Sequence, residues 1–361
     1  MALSLAQAKL NAPFGSWDLD IGKAKVIADS TGLFISDIRS LWLYTARSPQ
    51  ANQSYFVKIV EVGGDQFHPG GGWSSQDEMK AYNTRILTRE ILFMTMAGED
   101  CSVQPVGRVY DQGALCGVVT PLEMILKLTE TSHILGLKED SVPTSNLPPK
   151  EHIQDLQDLV KRLHQKGIIH GDIKPHNLLR RKKDSHLIFC DFATAALESA
   201  NQKPLGSTAE YNSPFRANIA TGIYPLTKAD DLYATGITMW QIYTGLTPFD
   251  NVDADFMDEV IASGCQPNLL AVDDKYVREF INSYLEAGNP PLQLADGQTA
   301  RSWPVCVEAT VVFADCAQAT SALHTYETVV HCDGCQNGKC AQRYCVPGVV
   351  SSVDKVKCQA C

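Results

Sequence analysis

His170-Gly171-Asp172-Ile173-Lys174-Pro175-His176-Asn177, followed after a short hairpin by Asp191-Phe192-Ala193, is the stretch whose reading decides the fold. An Asp and an Asn stand five residues apart in it, and the second Asp closes an apolar run, Leu187 to Cys190. Ahead of it, Ile153, Leu156, Leu159, Val160 and Leu163 recur at helical spacing. They predict one face of a helix that ends at Gly167, a residue suited to a helix C-terminus. Leu178 to Leu179 and Leu187 to Cys190 predict two short strands around the basic turn Arg180 to Lys183, which reads as a solvated hairpin tip.

Toward the N-terminus, the runs Lys25 to Ala28, Ser40 to Ala46 and Ser54 to Val60 alternate with polar turns and predict an antiparallel hairpin series. Gly63 to Gly72 reads as a loop, and Asp77 to Met96 as a helix with Met79, Tyr82, Ile86, Ile91 and Met94 on its apolar face. Val103 to Tyr110 and Ala114 to Thr120 predict two more strands. Toward the C-terminus, helices are predicted over Asp231 to Thr244, Asp253 to Ser263 and Lys275 to Ala287. Strands first and helices afterwards make an α+β plan of two lobes with a cleft between them.

The composition is that of an ordinary globular chain: 361 residues, 44% hydrophobic, 20% charged, with a net charge of -10. That acidity argues against nucleic acid as a partner. Met1 to Asn11 lacks the continuous apolar run of a signal peptide, and no segment approaches the roughly 20 apolar residues of a membrane span. Neither secretion nor membrane insertion is expected, and the cytosol or nucleus is. Four of the twelve cysteines, Cys101, Cys116, Cys190 and Cys265, precede residue 300 and read as buried free thiols. The other eight lie between Cys306 and Cys361, a density that points to metal ligation and to a boundary near Gly288 to Leu294.

His170 to Asn177 with Asp191 to Ala193 resembles the catalytic loop and metal-binding motif of the protein kinases. The resemblance implies that Asp172 orients the acceptor hydroxyl and takes its proton, that Lys174 supports the γ-phosphate, and that Asn177 and Asp191 hold Mg²⁺. Tyr55-Phe56-Val57-Lys58 resembles the strand carrying the kinase lysine, and Glu90, in preference to Glu78, is its implied ion-pair partner against the phosphates of ATP. Ser207 to Pro214 resembles the end of an activation segment, and Asp231 to Gly236 the start of the large helix of the C-terminal lobe, with Asp231 bracing the catalytic loop. The similarity runs from Lys25 to Ala287. It implies an N-terminal extension over 1–24, a kinase-like domain over 25–290 with lobes 25–120 and 121–290, and a Cys-rich tail over 291–361.

Departures from the family pattern cluster on the nucleotide side. Gly32 lies where the phosphate-covering loop is expected, yet Asp29-Ser30-Thr31-Gly32 has no G-x-G-x-x-G. Phe56 replaces a small residue over the adenine, and Pro121 in the hinge offers no N–H. Gly171 replaces the arginine that reads a phosphorylated activation loop, Ala193 replaces a glycine, and Phe215 replaces the glutamate that closes the activation segment with an ion pair.

In the tail, Cys332-Asp333-Gly334-Cys335 and Cys358-Gln359-Ala360-Cys361 are two C-x₂-C pairs twenty-two residues apart, a spacing that can close a Zn²⁺ site. The string is loosely similar to a ZZ-type zinc finger, which would bind a protein partner. The reading is an ATP- and Mg²⁺-dependent serine/threonine kinase acting on protein hydroxyls, the resemblance implying from Lys174, two residues after Asp172, serine or threonine over tyrosine. Two alternatives stand beside it: a pseudokinase scaffold, and a small-molecule phosphotransferase with a His-Gly-Asp loop.

Overall fold

The computed structural model describes residues 19–20, 33–36, 41–47, 54–60, 76–111, 114–126, 144–145, 148–217, 225–250, 252, 254–262, 264–289, 292–293, 299–300, 311–312, 330–336 and 339–344. Gly32, the Gly63 to Gly72 loop, the Lys25 to Ala28 run, Cys358 and Cys361 lie outside them. The chain forms two compact units. The first contains Met1–Pro148, Lys161–Ile168 and His176–Ala195; the second contains Pro149–Val160, Ile169–Pro175 and Ala196–Cys361. Neither unit is one continuous piece of chain, because His176–Ala195 returns to the first unit after the second has begun.

The first unit holds a six-stranded sheet in the order β1-β5-β6-β4-β3-β2. Its strands are β1 (Leu19–Asp20), β2 (Leu33–Ser36), β3 (Leu41–Arg47), β4 (Ser54–Val60), β5 (Gly107–Asp111) and β6 (Ala114–Pro121). All neighbours are antiparallel except β1 and β5. The register sets Lys58 opposite Val118 and Phe56 opposite Thr120. Helix α1 (Gln76–Ala97) covers this sheet, burying Leu87 and Ile91 with Val60 and Val118. Asn83, Leu87, Glu90 with Ile91, Met94 and Ala97 recur every three or four residues as its buried stripe, and Phe93 is buried beside them. Glu90 therefore faces inward because of where it falls in the helical period.

A smaller sheet in the same unit runs β11-β10-β7-β8, built from β7 (Met124–Leu126), β8 (Thr144–Ser145), β10 (Leu178–Arg180) and β11 (Leu187–Phe189). The chain after α1 docks onto it, with the Val103 N–H donating to Phe189 O at 3.0 Å and the Phe189 N–H to Cys101 O at 2.8 Å. The basic turn differs from its sequence reading. Arg180 is 1% exposed, since it is the last inward residue of β10, and its guanidinium is held by Ser185 O. Arg181 pairs with Asp184 and bonds Glu99 O, so the exposed tip begins at Lys182.

Helix α2 (Pro149–Gln165) starts on a proline whose fixed φ suits a first turn. It stops at Gly167 (φ +69°), whose N–H bonds His164 O at 3.1 Å. Two-residue strands β9 (Ile168–Ile169) and β12 (Ala196–Leu197) flank the loops of interest. In the second unit a single turn, α3 (Pro214–Ala217), precedes α4 (Lys228–Thr244), which buries eleven of its residues, from Asp231 through Ile242 with Leu232 as the exception. Thr227 and Asp230 form a capping box at its start, and Gly245 (φ +70°) ends it.

Helices α5 (Met257–Ala262) and α6 (Lys275–Ala287) follow, and Asp274 caps α6 by accepting from the Tyr276 and Val277 N–H groups. The predicted helix over Asp253 to Ser263 is shorter than its pattern, because Ala254–Phe256 winds as a 3₁₀ turn. Gly236 lets α4 and α6 meet closely, since a Cβ there would lie 2.7 Å from Leu285 Cδ2. Strands β13 (Leu292–Gln293) and β14 (Thr299–Ala300) pair with each other. Farther on, β15 (Val311–Val312), β16 (Val330–Gln336) and β17 (Lys339–Tyr344) form a three-stranded sheet with Cys335 opposite Cys340.

Candidate active site

The side chains expected to carry chemistry fall into two groups, one in each unit. In the first unit, Lys58 leaves the middle of β4 and its ammonium lies 2.8 and 2.7 Å from the two Glu90 oxygens and 3.1 Å from Asp191 Oδ1. Burial alone would pull the Lys58 pKa down, but the Asp191 and Glu90 carboxylates outweigh it and hold it above the usual lysine range. The ammonium therefore stays charged through the neutral and alkaline range. Any stability it contributes is present below the ordinary lysine pKa and is lost only as pH rises past the raised value. Glu78 is exposed near the start of α1, so Glu90 is the carboxylate that the helix delivers.

Asp191 has φ +56°, a left-handed backbone that a non-glycine residue adopts at a cost of about 1–3 kcal/mol. The cost is met by its surroundings. Phe192 is fully buried and stacks edge-on against Phe189 at 6.4 Å, while Arg89 clasps Ala195 O. The Cys190 N–H bonds Asn177 O at 3.0 Å, which brings Asn177 and Asp191 to one wall. Both line a cavity of about 130 Å³ together with Lys58, Glu90, His176 and Cys190. Its remaining lining is mostly apolar, and Phe56 and Pro121 take part in it.

In the second unit, the loop His170 to Pro175 is held from α4. Asp231, 1% exposed, accepts from the His170 N–H at Oδ2 and from the Gly171 N–H at Oδ1, both at 2.8 Å. Gly171 has φ +79°, where a side chain would be strained by about 1–2 kcal/mol. Thr238 adds a bond to Ile173 O at 3.2 Å. The Asp172 carboxylate thus projects from a fixed backbone.

Thr208 gives Asp172 Oδ1 two bonds, from its N–H at 3.1 Å and its hydroxyl at 2.7 Å. Lys174 Nζ lies 2.8 Å from Asp172 Oδ2 and donates to Thr208 Oγ1 at 2.6 Å. Tyr211, whose phenol is pushed up by burial, donates to Gln241 on α4. The structure thus brings Lys58, Glu90, Asn177 and Asp191 to one cavity and Asp172 and Lys174 to one cluster. The sequence places Thr208 only in the activation-segment stretch Ser207 to Pro214; its contact with Asp172, thirty-six residues away, follows no spacing rule.

Among the described residues no group of three or more His, Cys, Asp or Glu is placed to hold a metal ion. No helix there is long and apolar enough to cross a membrane. Cys101, Cys116 and Cys265 are buried thiols outside any disulfide, but Cys190 is half-buried on the cavity wall, unlike its sequence reading. Burial also raises the Cys101 thiol to about 11, so it stays protonated near pH 8. Alkylation with iodoacetamide at pH 8, read by peptide mapping, should modify Cys190 well before these three. Equal rates at Cys101 or Cys265 would contradict the placement.

The protein kinase domain family matches residues 75–287, more than half of the chain. Serine/threonine-protein kinase PrkC of Bacillus subtilis is 36% identical over 128 residues, which cover 33% of this chain and 19% of that protein. 3-Phosphoinositide-dependent protein kinase 1 of Homo sapiens is 35% identical over 100 residues, covering 26% of this chain and 17% of that protein. Probable serine/threonine-protein kinase KCC4 of Saccharomyces cerevisiae is 28% identical over 210 residues, covering 56% of this chain and 18% of that protein. The chain spans less than a fifth of the length of each of these relatives. The matched region carries Glu90, the Asp172 loop, Asp191 and α4 in order, and the chain belongs to the protein kinase domain family.

Proposed function

We propose that this chain is an ATP-dependent serine/threonine protein kinase. The observation that carries the reading is the ion triad Lys58–Glu90–Asp191, formed on the wall of a cavity whose remaining lining is mostly apolar, a combination suited to phosphates beside a nucleotide base. Asn177 and Asp191 supply amide and carboxylate oxygens on one wall, a donor set that fits Mg²⁺, which would neutralise charge on the phosphates. Lys58 would hold the α- and β-phosphates, steered by Glu90.

On the acceptor side, Asp172 takes the hydroxyl proton and Lys174 supports the γ-phosphoryl oxygens. Thr208 fixes the rotamer of both, since its hydroxyl touches each. The names of PrkC and KCC4 support serine or threonine as the acceptor, as does a lysine two residues after Asp172. Phe56 on the cavity wall supports weak rather than absent nucleotide binding, because an intact triad retains the charge contacts. With labelled Mg-ATP and mixed protein substrates, Asp172→Asn should lower transfer by about a hundredfold or more. Transfer that is absent, or unaffected by that change, would rule this function out and leave the binding scaffold as the better reading.

In the Cys-rich tail we assign Zn²⁺ to Cys332 and Cys335 with Cys358 and Cys361, as a module for a protein partner. The C-x₂-C pair on β16, where the register shifts between Cys332 and Cys335, supports a chelating turn. Metal analysis should find about one zinc per chain, lost in Cys332→Ser. Equal zinc in both would reject the site.

A further inference from the structure

The segment from Ala196 to Ala217 is tied to the start of α4 at three places. Glu198 Oε2 lies 2.6 Å from Lys228 Nζ, the Leu226 N–H donates to Gln202 O at 2.9 Å, and Arg216 grips Asp230. The first pair is largely exposed, and exposed ion pairs contribute little. The third is of another kind. Its side chains are 5% and 11% exposed, Arg216 Nε donates to Asp230 Oδ1 at 2.9 Å, and Nη2 donates to Oδ2 at 2.8 Å. Two parallel bonds fix a planar guanidinium far better than a single contact does. Nη2 also donates to Pro225 O at 3.0 Å, and the Arg216 N–H to Ser213 Oγ at 3.1 Å.

Asp230 serves two masters. Its Oδ2 also accepts from the Thr227 N–H at 2.8 Å and hydroxyl at 3.0 Å, closing the cap of α4. The next residue, Asp231, takes the His170 and Gly171 amides. One helical turn thus holds both the Asp172 loop and the far end of the segment that carries Thr208. Phe215 leaves the glutamate position empty of charge, but an ion pair closes the segment one residue later, with a cation on the segment and the carboxylate on the helix.

We propose that the Arg216–Asp230 pair positions Ser207 to Tyr211 against Asp172, so that both are positioning residues for the acceptor side. Thr208 is anchored on Asp172 and Arg216 on α4, with eight residue steps between, so slack at Arg216 is felt at Thr208. Asp172, Thr208, Tyr211, Arg216 and Asp230 line one small cavity, which is where that slack would be spent. The two partners are not equivalent. Without Arg216, Asp230 keeps its Thr227 donors; without Asp230, a buried guanidinium loses its counter-charge, the costlier loss.

The inference rests on the kinase reading for its catalytic readout alone, and hydrogen exchange on the full chain tests it independently. In Arg216→Met, peptides covering Ser207 to Tyr211 should exchange about tenfold faster or more, while those covering α1 and β4 exchange as in the wild type. Asp230→Asn should do so more strongly, and Arg216→Lys, which keeps the charge but not the double bond, should fall between. With dephosphorylated casein as acceptor, KM for casein should rise while KM for ATP stays within about twofold. Unchanged exchange at Ser207 to Tyr211 in both Arg216→Met and Asp230→Asn overturns the proposal whether or not the wild type transfers phosphate. Equal loss of protection along the whole chain with casein KM unchanged also overturns it, because that is the mark of general destabilisation. Local loss of protection in a wild-type background that transfers nothing would support the positioning and count against the kinase reading alone.

Discussion

A carboxylate buried in the first turn of a buried helix costs several kcal/mol in desolvation unless donors surround it. Asp231 is that carboxylate, and the donors are the two backbone N–H groups of His170 and Gly171. The constraint works in both directions. The loop cannot leave without stranding the charge, and the helix cannot turn without moving the loop. Gly171 in a left-handed conformation permits the geometry, and the projection of Asp172 follows from it.

Electrostatics shape the first unit in the same way. Lys58 is buried among apolar strands, and its charge survives there because α1 and the Asp191 turn each bring a carboxylate to it. The strained backbone of Asp191 sits at the point where a carboxylate must turn toward both an ammonium and an open cavity. In each unit, strain or buried charge gathers at the groups assigned to chemistry, and the neighbouring apolar packing is what keeps it there.

Much of this was legible from the residue order. Helices α1, α4 and α6 and strands β4 and β6 lie where the residue order predicts them, although α4 is buried on nearly every side and the buried stripe of α1 shares only Ile91 and Met94 with its predicted apolar face. The choice of Glu90 over Glu78 comes from the kinase resemblance, with Glu78 leaving too much helix before the next strand. Long-range pairings were not legible. Arg180 reads as part of a basic surface turn because sequence does not show that β10 points it inward at Ser185 O. Thr208 and the Arg216–Asp230 pair depend on how the segment folds back onto α4, which no local pattern encodes. Cys190 looked like its buried counterparts because an apolar strand end gives no sign that a cavity opens beside it.

The central claim is that the cavity holding Lys58, Asn177 and Asp191 binds a nucleotide through charge rather than through the altered adenine slot at Phe56 and Pro121. Calorimetric titration of ATP into the full chain, with and without Mg²⁺ and in Lys58→Met, tests this most directly. The account predicts binding that Mg²⁺ strengthens and that Lys58→Met weakens by about tenfold or more, the loss of a charge-assisted contact to phosphate. ATP binding that is indifferent to both Mg²⁺ and Lys58, or no binding at all, would contradict it.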